Sequence, residues 1–208
     1  MAASSAKENI LKKIRQALIN PVPLPFPQSD GEHEVYINNN EDATVVFAEE
    51  FTKLQGKFAY CLNEENLAQQ VQQLLHERNF TNVWCKDSAL QALLSMHFTP
   101  YENLPDCDVA ITGCEYLVAR TGSMVLSAQA EEGRTGSVYA PIHICIAYTS
   151  QLVFDLKDAL IKLKEKYNNK IPSVVSFASG PSRTADIEKT LVTGVHGPKE
   201  VYCFLVEG

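Results

Sequence analysis

Alternation between helical and strand-like segments, which begins at about residue 41, constrains the fold of this chain most. Helical periodicity predicts helices at 42–54, 64–77, 87–95 and Asp155–Tyr167. Short apolar runs predict strands at 57–62, 82–85, 108–112, Met124–Ser127, Ile142–Tyr148, Ser173–Ala178 and Val201–Val206. Alternation of this kind is typical of βαβ units. The sequence therefore predicts an α/β fold with a mostly parallel central sheet and helices on both faces.

The first 40 residues have a different character. Ser5 and Glu8 form a candidate capping box, and apolar residues recur at helical spacing over residues 6–19, which predicts an amphipathic helix. Four prolines follow between Pro21 and Pro27 and favour extended backbone, so residues 20–40 are expected to be a stiff, irregular connector. We therefore expect residues 1–40 to form a helix and connector and residues 41–208 to form the α/β domain. Docking of the helix on its own domain or on a neighbouring subunit stays open.

Charge and composition exclude several classes of partner. The net charge is -7, so attraction to nucleic acid is not expected. No run approaches the roughly 20 apolar residues that span a bilayer, and the N-terminus lacks the apolar core of a signal peptide, so a cytoplasmic protein is expected. The six cysteines lie mostly within apolar runs, which predicts buried thiols. They contain no Cys-x-x-Cys pair, so no metal or cofactor is expected in this chain. A homo-oligomer is compatible with the sequence.

The loop after the strand at 108–112 is the first candidate site, because open α/β sheets bind ligands beyond the carboxyl ends of their strands. Thr121, Gly122 and Ser123 are expected to offer backbone amides and hydroxyls to an anion. Arg120 is expected to add a bidentate clamp on a carboxylate or phosphate. The alternative is an ordinary turn with a solvated Arg120.

The second candidate site begins at Gly180, after the strand at Ser173–Ala178. Ser182 or Thr184 is expected to cap a short helix whose free amides attract an anion, and Arg183 adds positive charge. Asp186 and Glu188 can orient Arg183, cap the helix, or serve as acid and base, and structural capping is the favoured assignment.

Two histidines and one glycine-rich interval complete the candidates. His196 is followed by Gly197, a further binding candidate, and histidine exchanges protons near neutral pH, so His196 is the leading general acid or base. The alternative is a histidine that bonds backbone groups in a glycine turn. His143 lies in an apolar strand and is expected to be buried and hydrogen-bonded, with a ligand-binding or catalytic role as the alternative. The interval 131–137, which contains Arg134, predicts a hairpin or a lid.

The segments Gly180–Glu188 and Leu191–Pro198 resemble the C-terminal signature of the lactate-utilisation protein C family, which carries the LUD domain. Ile111–Glu115, Thr121–Ser123 and Pro141–His143 occur in the same order as in that family. The resemblance covers roughly residues 40–208.

This resemblance implies a Rossmann-like sheet similar to that of the NagB/RpiA/CoA-transferase superfamily. It also implies a role in oxidising L-lactate to pyruvate, as the cluster-free member of a system whose partner subunits carry iron–sulfur clusters. One position departs from the family: many relatives have an acidic residue where this chain has Arg120. Arginine does not deprotonate in proteins and would bind an anion instead.

Three functions are therefore compatible with the sequence. The first is a subunit of a lactate-oxidising assembly in which Arg120 and Arg183 hold a small carboxylate. The second is a free-standing enzyme on a phosphorylated sugar, CoA or folate derivative, with Glu115 or Asp186 as base or nucleophile and His196 as proton carrier; its support is fold analogy alone. The third is a non-catalytic scaffold that binds a small anion.

Overall fold

A computed structural model describes residues 6–19, 42–94, 98–128, 133–185 and 191–208. The chain forms two compact units, Met1–Asn40 and Glu41–Gly208. The described part of the first unit contains helix α1 (Ala6–Leu18). In the part of the chain that the structure describes, no helix is long and apolar enough to cross a membrane.

The second unit contains the remaining elements. Helices α2 to α6 span Ala43–Lys53, Glu64–Glu77, Ser88–Leu94, Gly133–Tyr139 and Leu156–Lys166. Strands β1 to β11 span Lys57–Cys61, Val83–Trp84, Val109–Thr112, Tyr116–Val118, Ser123–Ser127, Ile142–Tyr148, Leu152–Val153, Val175–Ala178, Arg183–Ala185, Leu191–Thr193 and Glu200–Val206.

A five-stranded parallel sheet forms the centre of this unit, in the order β1-β11-β6-β3-β2. Its strands are almost wholly apolar because a parallel sheet is covered on both faces. Ile111, Ile144 and Phe204 point to one face and pack against α3 and α4. Cys145 and Cys203 point to the other face, which α2 and part of a second sheet cover. The predicted α/β fold with a parallel sheet flanked by helices is confirmed.

Local capping explains where three helices begin. The side chain of Asp42 accepts a hydrogen bond from Thr44 N at 2.7 Å at the start of α2. Asn63 accepts one from Asn66 N at 2.8 Å at the start of α3. Asp155 caps α6 in the same way. Such caps satisfy amides that have no partner inside the helix, and all three helices lie within a residue or two of their predicted bounds.

A second sheet, in the order β7-β4-β5-β8, was not predicted. Met124–Ser127 and Ser173–Ala178 do contain strands, but β5 and β8 pair antiparallel here and do not join the central sheet. The two faces of β5 are both buried, against α6 on one side and against the central sheet on the other. A strand buried on both faces has the same apolar pattern in either sheet, so sequence pattern alone does not assign it.

Two local predictions are wrong. Residues 133–137, expected in a hairpin or lid, belong to helix α5. Gly136 lets this helix approach the central sheet, because a Cβ there would lie 2.9 Å from Trp84 Cε3.

The second wrong prediction is the helix after Ser182 or Thr184. The chain forms strand β9 instead, which pairs antiparallel with β10. Backbone pairing across this hairpin, between Thr184 and Val192, takes the place of a capped helix end. Asp186 and Glu188 lie outside the described residues.

Candidate functional site

A cavity of about 190 Å³ lies between the central sheet and the second sheet. It is bounded by the first residues of β6 and β11, by β5, β8 and α5, and by the turn before β11. The lining residues are Met124, Leu126, Ser137, Val138, His143, Ser176, Ala178, Gly180, Ser182, His196, Gly197, Pro198 and Val201. The cavity therefore lies near the amino ends of β6 and β11, whereas the sequence predicted a site beyond the carboxyl ends of the strands. The second sheet, which was not predicted, creates this space.

His143 forms part of the cavity wall from the second position of β6 and is only 1% exposed. Its Nε2 lies 2.8 Å from Thr112 Oγ1, and that hydroxyl donates a hydrogen bond to Gly113 O at 3.0 Å. The hydroxyl has one hydrogen, so both bonds form together only when His143 Nε2 is the donor. Burial lowers the pKa of His143 to about 4. The ring is therefore neutral near pH 7, with its lone pair on Nδ1.

Ser182 connects the cavity to the turn that carries His196. Ser182 N donates to Pro198 O at 2.9 Å, and Gly194 N donates to Ser182 O at 2.9 Å. Gly197 allows this close approach, since a Cβ there would lie 2.9 Å from Ser182 Cβ. His196 is exposed and lines the cavity, so this residue lies at the mouth. The structure thus brings His143, Gly180, Ser182, His196 and Gly197 together.

The lining combines apolar walls with a small number of polar groups. Met124, Leu126 and Val201 supply apolar surface, and the polar side chains are serines and histidines. Among the described lining residues there is no lysine, arginine, aspartate or glutamate. A charge buried without a partner is costly. The interior therefore suits uncharged parts of a ligand, and a charged group fits best at the mouth, beside His196.

Glu115, a predicted base, lies elsewhere, under α6. Its carboxylate accepts hydrogen bonds from Ser127 Oγ at 2.5 Å and Tyr167 OH at 2.6 Å, and pairs with Lys166 Nζ at 2.6 Å. Burial works to raise the pKa of Glu115, but the hydrogen bonds from Lys166, Ser127 and Tyr167 outweigh it and lower the pKa. This geometry is that of a buried, ionised structural carboxylate, and it does not contribute to the cavity.

Substitution Glu115→Gln should lower the free energy of unfolding by about 2 kcal/mol. Each partner of the carboxylate is a hydrogen-bond donor. The amide nitrogen of glutamine is also a donor, so it would face one of these partners without forming a hydrogen bond. Urea denaturation followed by circular dichroism measures the loss.

The matched control is Glu102→Gln. Glu102 makes an ion pair of the same length, 2.6 Å, with Lys86, but its side chain is 80% exposed, against 5% for Glu115. Exposed pairs contribute little to stability. Equal losses in the two variants would contradict a structural role for the buried cluster.

The predicted anion turn at residues 120–123 also lies outside the cavity lining. Arg120 Nε is 2.6 Å from Asp155 Oδ2, which links the turn to the cap of α6. This hydrogen bond with Arg120 lowers the pKa of Asp155. Thr121 and Ser123 bond each other through their hydroxyls at 2.8 Å, and Gly122 N donates to Ala119 O at 3.2 Å. The geometry supports a structural turn, and ligand binding by these residues stays a prediction.

The remaining predicted residues are also separate from the cavity lining. Arg183 donates to Leu54 O after the end of α2, and Thr184 pairs within the β9–β10 hairpin. Arg134 is in the first turn of α5, and its side chain is outside what the structure describes; Asp186 lies outside the described residues altogether.

The sequence did not predict the part played by Ser137 and Ser176 in the cavity wall, or the contact between Thr112 and His143. Ser176 and Phe177 are successive residues of β8, so their side chains point to opposite faces of the second sheet. This alternation indicates which residue faces the cavity only when the second sheet is known. Thr112 is part of the segment Ile111–Glu115, and its contact with His143 joins strands that are distant in sequence. Among the described residues, no group of three or more His, Cys, Asp or Glu side chains is arranged to hold a metal ion.

Comparison with known proteins identifies the family. The model of the LUD domain matches residues 99–206, which is more than half of the chain. This chain therefore belongs to the LUD-domain family.

Several relatives carry the name lactate utilization protein C. That of Halalkalibacterium halodurans is 36% identical over 107 residues, covering 50% of this chain and 46% of the relative. An uncharacterized protein of Neisseria meningitidis serogroup B is 36% identical over 100 residues, covering 48% and 42%. The matched segment thus spans less than half the length of these two relatives. Lactate utilization protein C of Deinococcus radiodurans is 24% identical over 218 residues, covering 99% and 97%.

A solved structure supports the fold. The crystal structure of a DUF162 family protein from Deinococcus radiodurans superposes with a TM-score of 0.59 at 19% identity, covering 79% of this chain and 96% of that chain. At this identity the likeness concerns the fold alone.

Proposed function

We propose that this chain is the cluster-free subunit of an iron–sulfur-dependent system that oxidises L-lactate to pyruvate, and that its inter-sheet cavity holds the small carboxylate. One observation carries the proposal: His143, Ser182 and His196, which lie within the segment that the LUD-domain model matches, line a single cavity.

The size of the cavity favours a ligand of this class. Pockets for drug-sized ligands enclose about 300–1,000 Å³, whereas this cavity encloses about 190 Å³. A phosphorylated sugar, CoA or folate derivative would extend well beyond it. Lactate has one methyl, one hydroxyl and one carboxylate, which match an apolar wall, a buried imidazole and an exposed imidazole at the mouth.

We also propose the cellular compartment and the partner proteins of the reaction. Six free thiols suit a reducing compartment such as the cytoplasm. The iron–sulfur clusters are assigned to partner proteins, as the family resemblance implies, and the small carboxylate is the ligand of this chain.

Affinity isolation tests the subunit role. The tagged chain is isolated under anaerobic conditions from its own cells grown on lactate, and the eluate is analysed by mass spectrometry and assayed for L-lactate oxidation. We expect iron–sulfur proteins in the eluate, lactate oxidation by the eluate, and no oxidation by the chain purified alone.

An untagged strain provides the control for non-specific recovery. Recovery of the chain without iron–sulfur partners and without activity would contradict the assembly. Lactate oxidation by the purified chain alone would contradict its role as a non-redox subunit.

A further inference from the structure

The imidazole of His143 has one nitrogen that no described residue bonds. Its Nε2 is committed to Thr112, and Nδ1 makes no hydrogen bond with any residue that the structure describes. The ring is buried and forms part of the cavity wall. A buried acceptor without a partner is unfavourable, so a ligand that supplies a hydrogen-bond donor here removes that cost.

Thr112 determines which kind of ligand group fits. Because its hydroxyl donates to Gly113 O, it accepts from Nε2 and holds the hydrogen on that nitrogen. Burial keeps the ring neutral by lowering the pKa of His143 to about 4. Near pH 7, Nδ1 therefore accepts a hydrogen bond and does not donate one.

We infer that the cavity selects a 2-hydroxy acid over the corresponding 2-oxo acid, with His143 Nδ1 accepting a hydrogen bond from the ligand hydroxyl. This inference rests on the proposed function, because it concerns the acid held in the same cavity. A hydroxyl has a hydrogen to donate, whereas the carbonyl oxygen of a 2-oxo acid would place its lone pair against that of Nδ1.

The other lining residues fit the same orientation. With the hydroxyl at His143, a small alkyl group lies against Met124, Leu126 or Val201, and the carboxylate extends to the mouth beside His196. Oxidation of the hydroxyl removes the hydrogen that His143 accepts. The chain would therefore hold the reduced acid and release the oxidised one.

Isothermal titration calorimetry of the full chain at pH 7 tests the selectivity. The probes are L-lactate, pyruvate and propionate, the last of which lacks the oxygen at carbon 2. We expect L-lactate to bind at least about tenfold more tightly than either other acid, since leaving a buried acceptor unpaired costs on the order of that factor.

Thr112→Val tests whether the tautomer of His143, and not the packing around the ring, causes the preference for lactate. Valine matches threonine in shape but has no acceptor for Nε2, so the imidazole can place its hydrogen on Nδ1 and donate to a carbonyl. The affinities for lactate and pyruvate should then become nearly equal. Thr149→Val, which removes a hydroxyl bonded to Gly208 O beyond the other end of β6, should keep the wild-type preference.

A second readout does not depend on ligand binding. The long-range ¹H–¹⁵N spectrum of the histidine rings should show His143 with hydrogen on Nε2 only; hydrogen on Nδ1 of the wild-type chain would overturn the inference. Equal affinities for lactate and pyruvate in the wild-type chain would overturn the inference alone. Binding of neither acid would overturn both the inference and the ligand assigned in the proposed function.

Discussion

Lowering the pH from about 7 to about 4 should reduce the free energy of unfolding by about 3 kcal/mol through His143 alone. In the unfolded chain a histidine takes up a proton at about pH 6.5. In the folded chain burial lowers the pKa of His143 to about 4. Between these two values the unfolded state binds one more proton, so stability falls as the pH falls.

The carboxylates respond in a different pH window. The hydrogen bond from Arg78 is the largest effect on Glu200 and, with Lys57 and Tyr202, lowers its pKa to about 2. A carboxylate with a lowered pKa contributes stability above its unfolded value, and that stability is lost as the pH falls towards the folded value. Glu200 therefore acts below about pH 4.5, so the decline between about pH 6.5 and 4.5 reports mainly on His143.

Urea denaturation at a series of pH values measures this decline. His143→Gln should flatten the dependence above about pH 4.5, whereas His76→Gln, at an exposed position of α3, should leave it unchanged. A wild-type free energy of unfolding that stays constant from about pH 7 to 4.5 would show that His143 is not buried as a neutral ring.

Substitution Gly122→Ala should lower the free energy of unfolding by about 3 kcal/mol or more. Gly122 has φ +54, in the left-handed region that L side chains rarely adopt. A Cβ there would lie 2.7 Å from Glu50 C and 2.8 Å from Phe51 Cα, and helix backbone cannot move aside as a side chain can. The turn between β4 and β5 would have to separate from α2.

Gly113→Ala is the matched control for this substitution. A Cβ at Gly113 would meet its nearest atoms, Asp87 Oδ2 and Ile146 O, at 3.8 and 3.9 Å, which is ordinary contact. Thermal unfolding followed by circular dichroism should show a large fall in Tm for Gly122→Ala and a small change for Gly113→Ala. Similar changes in the two variants would mean that the turn does not pack against α2 as described.

Sequence pattern predicted most of the central fold. Asp42, Asn63 and Asp155 are side chains that cap helices through contacts within three residues, and such local signals can be read directly. The second sheet depends on which strands pair across long separations, and that information is absent from a single apolar run. Helix α5 was missed because its glycines suggest a loop, whereas Gly136 serves close packing against Trp84.

The candidate site was predicted only in part, because its long-range contacts are also absent from local sequence patterns. His143, Ser182 and His196 were identified as residues of interest, and the structure brings them to one cavity. Glu115 and Arg120 were expected to meet a ligand, but each has a charged partner from α6 or its cap, Lys166 or Asp155. Their partners lie more than thirty residues away, so nothing local in the sequence distinguishes a structural ion pair from a binding group.

The position of β11 in the central sheet affects how the chain can be assembled. Among the described strands, β11 is the only hydrogen-bonded neighbour of β1. During synthesis, residues 57–61 therefore leave the ribosome long before residues 200–206 exist to pair with them. Contacts between such distant segments slow folding, and the unpaired strand exposes backbone groups that attract other chains. The nascent protein should thus depend on chaperone protection until β11 inserts between β1 and β6.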